Sequence, residues 1–334
     1  GRASRGSGLV WIGNRTPGER SGRGSFPKIN STLNNELRDR LRDKDKRQFQ
    51  ALSLLATGSF RSKITLDSQD AFELVSDGVT NVLNDIFSND DNKVKNHTKK
   101  LNNKELPILN ANSRIGACVK NPSKFLGIGL NFKDHATEQN LPIPKEPIIF
   151  SKFTNCIVGP NDNIEIPKNS NHTDWEVEIG FVIGKKAINV SIENALDHVL
   201  GFFLVNDVSE RDFQKNRGLT WDKGKGFDTF GPIGPYIVTT DELPDFQKLD
   251  MFLDVDGKRM QTGNTEKMIF DVKTLVSYMS SCMSLHPGDI CCTGTPPGVG
   301  ENMKPPQFLK GGEEVVLGVD KLGTQKHQVV PYKE

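Results

Sequence analysis

The stretch Asp174 to Gly184, DWEVEIGFVIG, constrains this chain more than any other. Side chains alternate along an extended backbone, so Trp175, Val177, Ile179, Phe181 and Ile183 fall on one face and Glu176 and Glu178 share the other. Two carboxylates a few ångströms apart on a mostly apolar strand are costly unless a proton or a cation neutralises them. A bound metal satisfies that demand. A half-exposed strand with both glutamates in solvent satisfies it equally well.

Composition narrows the class. The chain has 334 residues, 35% apolar and 25% charged, enough for one large core with a small additional domain. No apolar run approaches the roughly 18 to 20 residues of a membrane span, so no membrane association is expected. Residues 1–50 carry 12 Lys/Arg against 5 Asp/Glu, which leaves the remainder mildly acidic despite a net charge of +1. Nucleic acid is not an expected partner of such a body. The five cysteines show no C-x-x-C spacing, which argues against a disulfide framework or a zinc site. Cys291 and Cys292 lie in an apolar run and read as small core residues.

Along the chain, residues 1–50 form a basic head. Its first thirty residues are open to two readings, a piece of an Arg-rich organelle transit peptide or an artefact. Residues 33–50 alternate in charge, as an exposed helix does. Residues 51–112 suggest a small N-terminal domain, with a strand near 60–66, an amphipathic helix near 77–87 and a polar loop over 88–104. Beyond Pro122 the texture turns to short β-prone runs, at 125–130, 147–150, 175–183, 200–208, 234–238, 251–255, 289–293 and 314–319. Helices are expected at 191–199 and 271–281. This is an α+β, β-rich pattern, a roll or sandwich and not a doubly wound parallel sheet, and it fills a catalytic domain over 115–330.

Several short constellations carry chemistry. Asp207 closes the apolar run from Gly201, on the same side as Phe203 and Val205, and needs a partner. If it converges with Glu176 and Glu178, the three form an all-oxygen site suited to Mg²⁺, with Mn²⁺ or Ca²⁺ as alternatives. Ser209 and Asp212 resemble a capping pair for a short helix that would present Arg211 and Gln214 together. In NFKDHATE, His135 and Glu138 stand three apart, so a carboxylate could orient an imidazole acting as a general base. Lys225, between Gly224 and Gly226, could balance developing negative charge. In GDICCTGTPPGVG, backbone N–H groups and the Thr295 hydroxyl could hold a carboxylate. No Gly-Lys-Ser/Thr follows, so it is not a phosphate-binding loop of the Walker type. His97, His172, His198, His286 and His327 lack comparable partners and read as structural.

The order NFKDHA, DWEVEIG, NDVSERDFQ, GKGFDTFGPIGP, TGTPPGVG resembles that of the fumarylacetoacetate hydrolase superfamily across about residues 115 to 325. The resemblance implies a β-roll preceded by a small N-terminal domain, and a homodimer. It implies Glu176, Glu178 and Asp207 as metal ligands, and Lys225 and Thr229 as completing their surroundings. Arg211 and Gln214 would contact substrate, Thr295 would bind its carboxylate, and the His135–Glu138 dyad would ride on a closing lid. Phe132 departs from the tyrosine that relatives mostly carry. The implied function is a metal-dependent enzyme that stabilises the enolate of a small 2-oxo acid. Enol-keto tautomerisation of oxaloacetate, in mitochondria or alternatively the cytoplasm, is the expectation. The alternatives are carbon-carbon hydrolysis of an acylpyruvate or related 1,3-dioxo acid, and a catalytically silent binding protein.

Overall fold

The computed structural model describes residues 114–218 and 220–333. The expectations for the basic head and the domain at 51–112 lie outside the described residues, as does His97. In chain order the strands are β1 (Phe125–Gly129), β2 (Ile148–Lys152), β3 (Ile157–Val158), β4 (Ile164–Glu165), β5 (Thr173–Asp174), β6 (Val177–Ile183), β7 (Val199–Asn206) and β8 (Ser209–Glu210). They continue with β9 (Gly231–Pro232), β10 (Val238–Thr239), β11 (Asp250–Val255), β12 (Lys258–Asn264), β13 (Ile290–Cys292), β14 (Glu314–Val319) and β15 (Gly323–Val330). The α-helices are α1 (Lys133–Glu138), α2 (Arg211–Lys215), α3 (Asp222–Lys225) and α4 (Val272–Cys282). None of the described helices is long and apolar enough to cross a membrane.

Two sheets dominate. One has six strands in the order β10-β7-β6-β13-β1-β2, the other five in the order β12-β11-β14-β15-β4. Within the first, only β1 and β13 run parallel; β6 lies antiparallel to both β13 and β7. β6 and β7 also touch β11, β14 and β15, so the sheets pack against each other. Every residue of β6 is buried. A solvent-facing Glu-x-Glu is thereby excluded for Glu178, which is 1% exposed.

Local chemistry explains most element ends. α4 begins where the Asp271 side chain accepts the Thr274 N–H at 2.8 Å, and it buries Val272, Leu275, Val276 and Met279 at helical spacing. The helix expected at 191–199 is a 3₁₀ helix, Ile192–His198, packed on α4. The strand expected at 234–238 shrinks to β10, because Pro235 has no N–H to give a ladder. β12 follows β11 through Asp256 and Gly257, both at positive φ (49° and 73°), a two-residue hairpin turn. β15 buries Gln325, His327 and Val329 in alternation.

Candidate active site

Strand pairing gathers the acidic groups. Glu178 sits opposite Val205 and Val177 opposite Asn206, and the Asp207 N–H donates to the Glu176 carbonyl at 2.9 Å just past the ladder. Directly opposed residues share a face, so Glu176, Glu178, Val205 and Asp207 project the same way. On the far edge β2 brings Lys152, paired with Phe125, to that face.

Three cations and four carboxylates interlock there. Lys225 Nζ donates to Glu176 Oε2 and Asp207 Oδ2, each at 2.8 Å. Lys152 Nζ, wholly buried, donates to Asp207 Oδ1 at 2.6 Å and to the Lys225 carbonyl at 2.5 Å. Arg211 donates through Nη1 to Glu176 Oε1 (2.7 Å) and Gln214 Oε1 (3.1 Å), and through Nε to Asp174 Oδ2 (2.8 Å). Its Nη2 lies 2.8 Å from the same Asp174 oxygen, close enough for charge attraction but not aligned for a hydrogen bond. Arg211 opens α2, whose cap is Glu210 accepting the Phe213 N–H at 2.8 Å. The expected Ser209–Asp212 cap is not formed, because the Ser209 hydroxyl turns to the Asp207 carbonyl and Asp212 faces Arg217.

The fourth carboxyl, Glu178, has no cation against it among the described residues. It accepts one hydrogen bond, from Gly294 N–H at 2.7 Å. Burial, then the charges of Asp207 and Glu176, push its pKa well above the usual carboxylate range. Burial would raise Glu176 too, but Lys225 and Arg211 overcome it and hold that group well below the usual range. Lys225 shows the converse: burial favours its neutral form, while Asp207 and Glu176 hold its pKa above the ordinary lysine value. The cluster is therefore one positive charge short when every carboxyl is ionised. Oxygens of Glu178 and Asp207 and the sulfur of Cys292 lie within 4.8 Å of one another. Such a set fits a divalent cation, and its carboxylates suit a hard one.

The turn after β13 binds carboxylates as its composition suggests, but they belong to the protein. Gly294 N–H serves Glu178, Gly298 N–H serves Glu138 at 3.0 Å, and the N–H groups of Gly300 and Glu301 serve Asp174 at 2.7 and 3.0 Å. The Thr295 hydroxyl donates to the Val177 carbonyl at 2.9 Å and accepts Gln261 Nε2 at 2.8 Å. Thr229 likewise has another partner, the Glu165 N–H, at 2.9 Å.

α1 lies against this turn. His135, 5% exposed, contacts Glu138 Oε2 through Nδ1 at 2.9 Å, and its Nε2 faces the Gln139 amide nitrogen at 2.8 Å. Because that amide nitrogen can only donate, the network assigns the ring proton to Nδ1 and a lone pair to Nε2. Asn302 Nδ2 donates to Glu138 Oε2 at 3.0 Å. Burial would raise the Glu138 pKa, but its bonds to His135, Asn302 and Gly298 leave it lowered.

Residues 124–330 match the fumarylacetoacetate (FAA) hydrolase C-terminal family. The chain belongs to the fumarylacetoacetate hydrolase family. A Burkholderia cenocepacia protein, provisionally named a hydrolase, is 59% identical over 221 residues, 66% of this chain and 78% of its own. Among solved structures, 2-hydroxyhepta-2,4-diene-1,7-dioate isomerase from Mycobacterium marinum is 36% identical with a TM-score of 0.58, covering 66% of this chain and 79% of that one. Fumarylacetoacetate hydrolase from psychrophilic Exiguobacterium antarcticum is 35% identical with a TM-score of 0.63, covering 68% and 81%. The family supplies both isomerases and hydrolases, and the α+β fold of this chain is of its type.

Within that family frame, the structure adds participants that pattern reading passed over. Lys152 lies just past the strand expected at 147–150, yet it braces Asp207. Asp174, the first residue of DWEVEIGFVIG, ties Arg211 to the 300–301 backbone. Cys292 read as core and is buried, but it sits among the carboxylates. Strand alternation could have placed Lys152 and Cys292 on the site face only once the register was known.

Proposed function

We propose that the protein is a divalent-cation-dependent tautomerase of short 2-oxo dicarboxylic acids, with oxaloacetate as substrate, akin to the fumarylacetoacetate hydrolase domain-containing protein 2 branch of the family. The observation that carries this reading is Glu178, a buried carboxyl without a cationic partner beside Asp207. Glu176, Glu178 and Asp207 would hold Mg²⁺, or Mn²⁺ or Ca²⁺ in its place. When bound, such an ion supplies positive charge that stabilises an enolate at the 2-oxo acid end of the substrate.

The chain's own groups supply the rest. His135 Nε2 offers the lone pair that removes a proton from C3 of the keto form, and the resulting imidazolium is held by Glu138 through Nδ1–H. Gln139 must release Nε2 for that step. Delivery of a proton to the enolate oxygen completes the shift with no atom lost, and the reverse path converts enol to keto. Lys225 and Arg211 keep Glu176 ionised throughout, and Lys225 also donates to Asp207.

Hydrolysis of an acylpyruvate is the second reading, favoured by the same dyad, because an imidazole oriented by a carboxylate can activate water. The deciding assay follows decay of the enol absorbance of oxaloacetate. Mg²⁺ is expected to accelerate it, and Glu178→Ala to abolish the acceleration. A variant as fast as the parent would overturn the cation assignment. Pyruvate and a free acid appearing from an acylpyruvate, with no effect on oxaloacetate, would replace the first reading by the second.

A further inference from the structure

We propose that Cys292 gives the Glu178–Asp207 site a sulfur donor, so that it takes thiophilic divalent cations such as Co²⁺, Zn²⁺ and Cd²⁺ as well as hard ones. This rests on the cation site proposed above and adds the class of ion it accepts.

The sulfur is placed by the sheet. Cys292 pairs with Gly127 of β1 on one side and Gly180 of β6 on the other, so neither neighbouring strand sets a side chain directly beside it. A Cβ at Gly127 would fall 2.2 Å from the Phe150 ring, and one at Gly180 would fall 2.6 Å from the Phe203 ring. The two aromatic rings thus lie over the glycines and flank the thiol. Glu178 is two residues from Gly180 on the same face, which puts its carboxyl and that of Asp207 within 4.8 Å of the sulfur.

Cys292 is fully buried, and no hydrogen bond engages its sulfur among the described residues. Cys291 alternates to the opposite face and is occupied, donating to the Cys292 carbonyl at 3.3 Å. Two carboxylates with one thiolate form a mixed hard and soft set, and soft donors select thiophilic metals. As the sulfur-metal bond forms, the S–H proton passes to buffer.

The test uses the full chain, stripped with chelator, reduced, freed of thiol reagents and titrated anaerobically with Co²⁺ alone. A near-ultraviolet sulfur-to-cobalt charge-transfer band should grow and saturate at one ion per chain, and excess Mg²⁺ should bleach it. The band should vanish in Cys292→Ser and persist in Cys291→Ser and in Cys282→Ser, which removes the exposed thiol. Loss of outer-sphere partners alone costs 10–100-fold in metal affinity, so Co²⁺ binding to Cys292→Ser should weaken by at least about tenfold. Cadmium NMR of the loaded parent protein needs no variant, and a resonance shifted downfield from the all-oxygen range is expected.

Thermal stabilisation by Co²⁺ without a charge-transfer band, or a band that survives Cys292→Ser, would overturn the sulfur donor while leaving the cation site standing. Failure of both Mg²⁺ and Co²⁺ to stabilise the chain would overturn the cation reading and the donor with it.

Discussion

Replacing Lys225 by Met keeps the stem and removes the charge that bridges Glu176 and Asp207. At 2.8 Å and an effective dielectric of 20, each pair attracts with about 6 kcal/mol, most of it offset by the cost of drying a nearly buried ammonium. Removing one partner of a buried pair typically costs about 3–5 kcal/mol. Here Glu176 keeps Arg211 and Asp207 keeps Lys152, so the low end applies, about 3 kcal/mol. The cation-free site becomes short of two positive charges in place of one, and Mg²⁺ should stabilise the variant more than the parent. At a hundredfold excess over its dissociation constant, a ligand adds about 2.7 kcal/mol to a protein it binds only when folded. Urea midpoints of both proteins, with chelator and with Mg²⁺, measure the two increments. A loss below about 1 kcal/mol in chelator, the range of exposed ion pairs, would refute the charge balance described for this cluster. Equal Mg²⁺ increments would do the same.

Two further outcomes follow from other parts of the structure. Burial, opposed by the contact of Nδ1 with the Asp162 carbonyl at 2.7 Å, lowers the His327 pKa to about 4. The unfolded chain, at about 6.5, therefore binds this proton first as pH falls, so stability is full above pH 6.5 and drains away toward pH 4. The loss approaches about 3 kcal/mol, and His327→Phe should flatten that limb of the stability-pH curve; an unchanged slope would exclude His327 as its source. Gly294 has φ +98°, and a Cβ there would lie 2.8 Å from Asn131 Cβ. Gly294→Ala should cost about 1–3 kcal/mol in thermal or chemical denaturation and slow enol decay, since its N–H fixes Glu178; parental behaviour in both assays would contradict the crowding.

Much of the fold was legible because its strands announce themselves locally. The run at 314–319 coincides with β14, and the alternation at 175–183 contains β6, which starts two residues later at Val177. β12 and β15 were hidden because their buried faces hold Gln261, Gln325 and His327, which apolar periodicity does not register. The Asp256-Gly257 turn was the available signal for β12. At the site, the Glu176–Glu178 spacing, the i, i+3 relation of His135 and Glu138 and the Arg211–Gln214 pairing are short-range and could be read directly. Lys152 lies 55 residues before the aspartate it holds, and Asp174 lies 37 before its arginine. Distances of that kind are set by sheet register, which one chain's pattern does not encode. The partners of Thr295 were hidden for a related reason. Its motif names a turn able to receive anions, but the Val177 carbonyl claims its hydroxyl only once β6 and that turn are neighbours.

Asn131, at the root of α1, donates to the Thr293 carbonyl at 2.8 Å, and the next residue, Gly294, gives its N–H to Glu178. The anchor of α1 and the tether of Glu178 are thus the two ends of one peptide group. Any rotation of that backbone which loosens Glu178 also tugs on the helix bearing His135. A displacement at Glu178 is therefore coupled to α1 through a single peptide group and the Asn131 side chain that grips it.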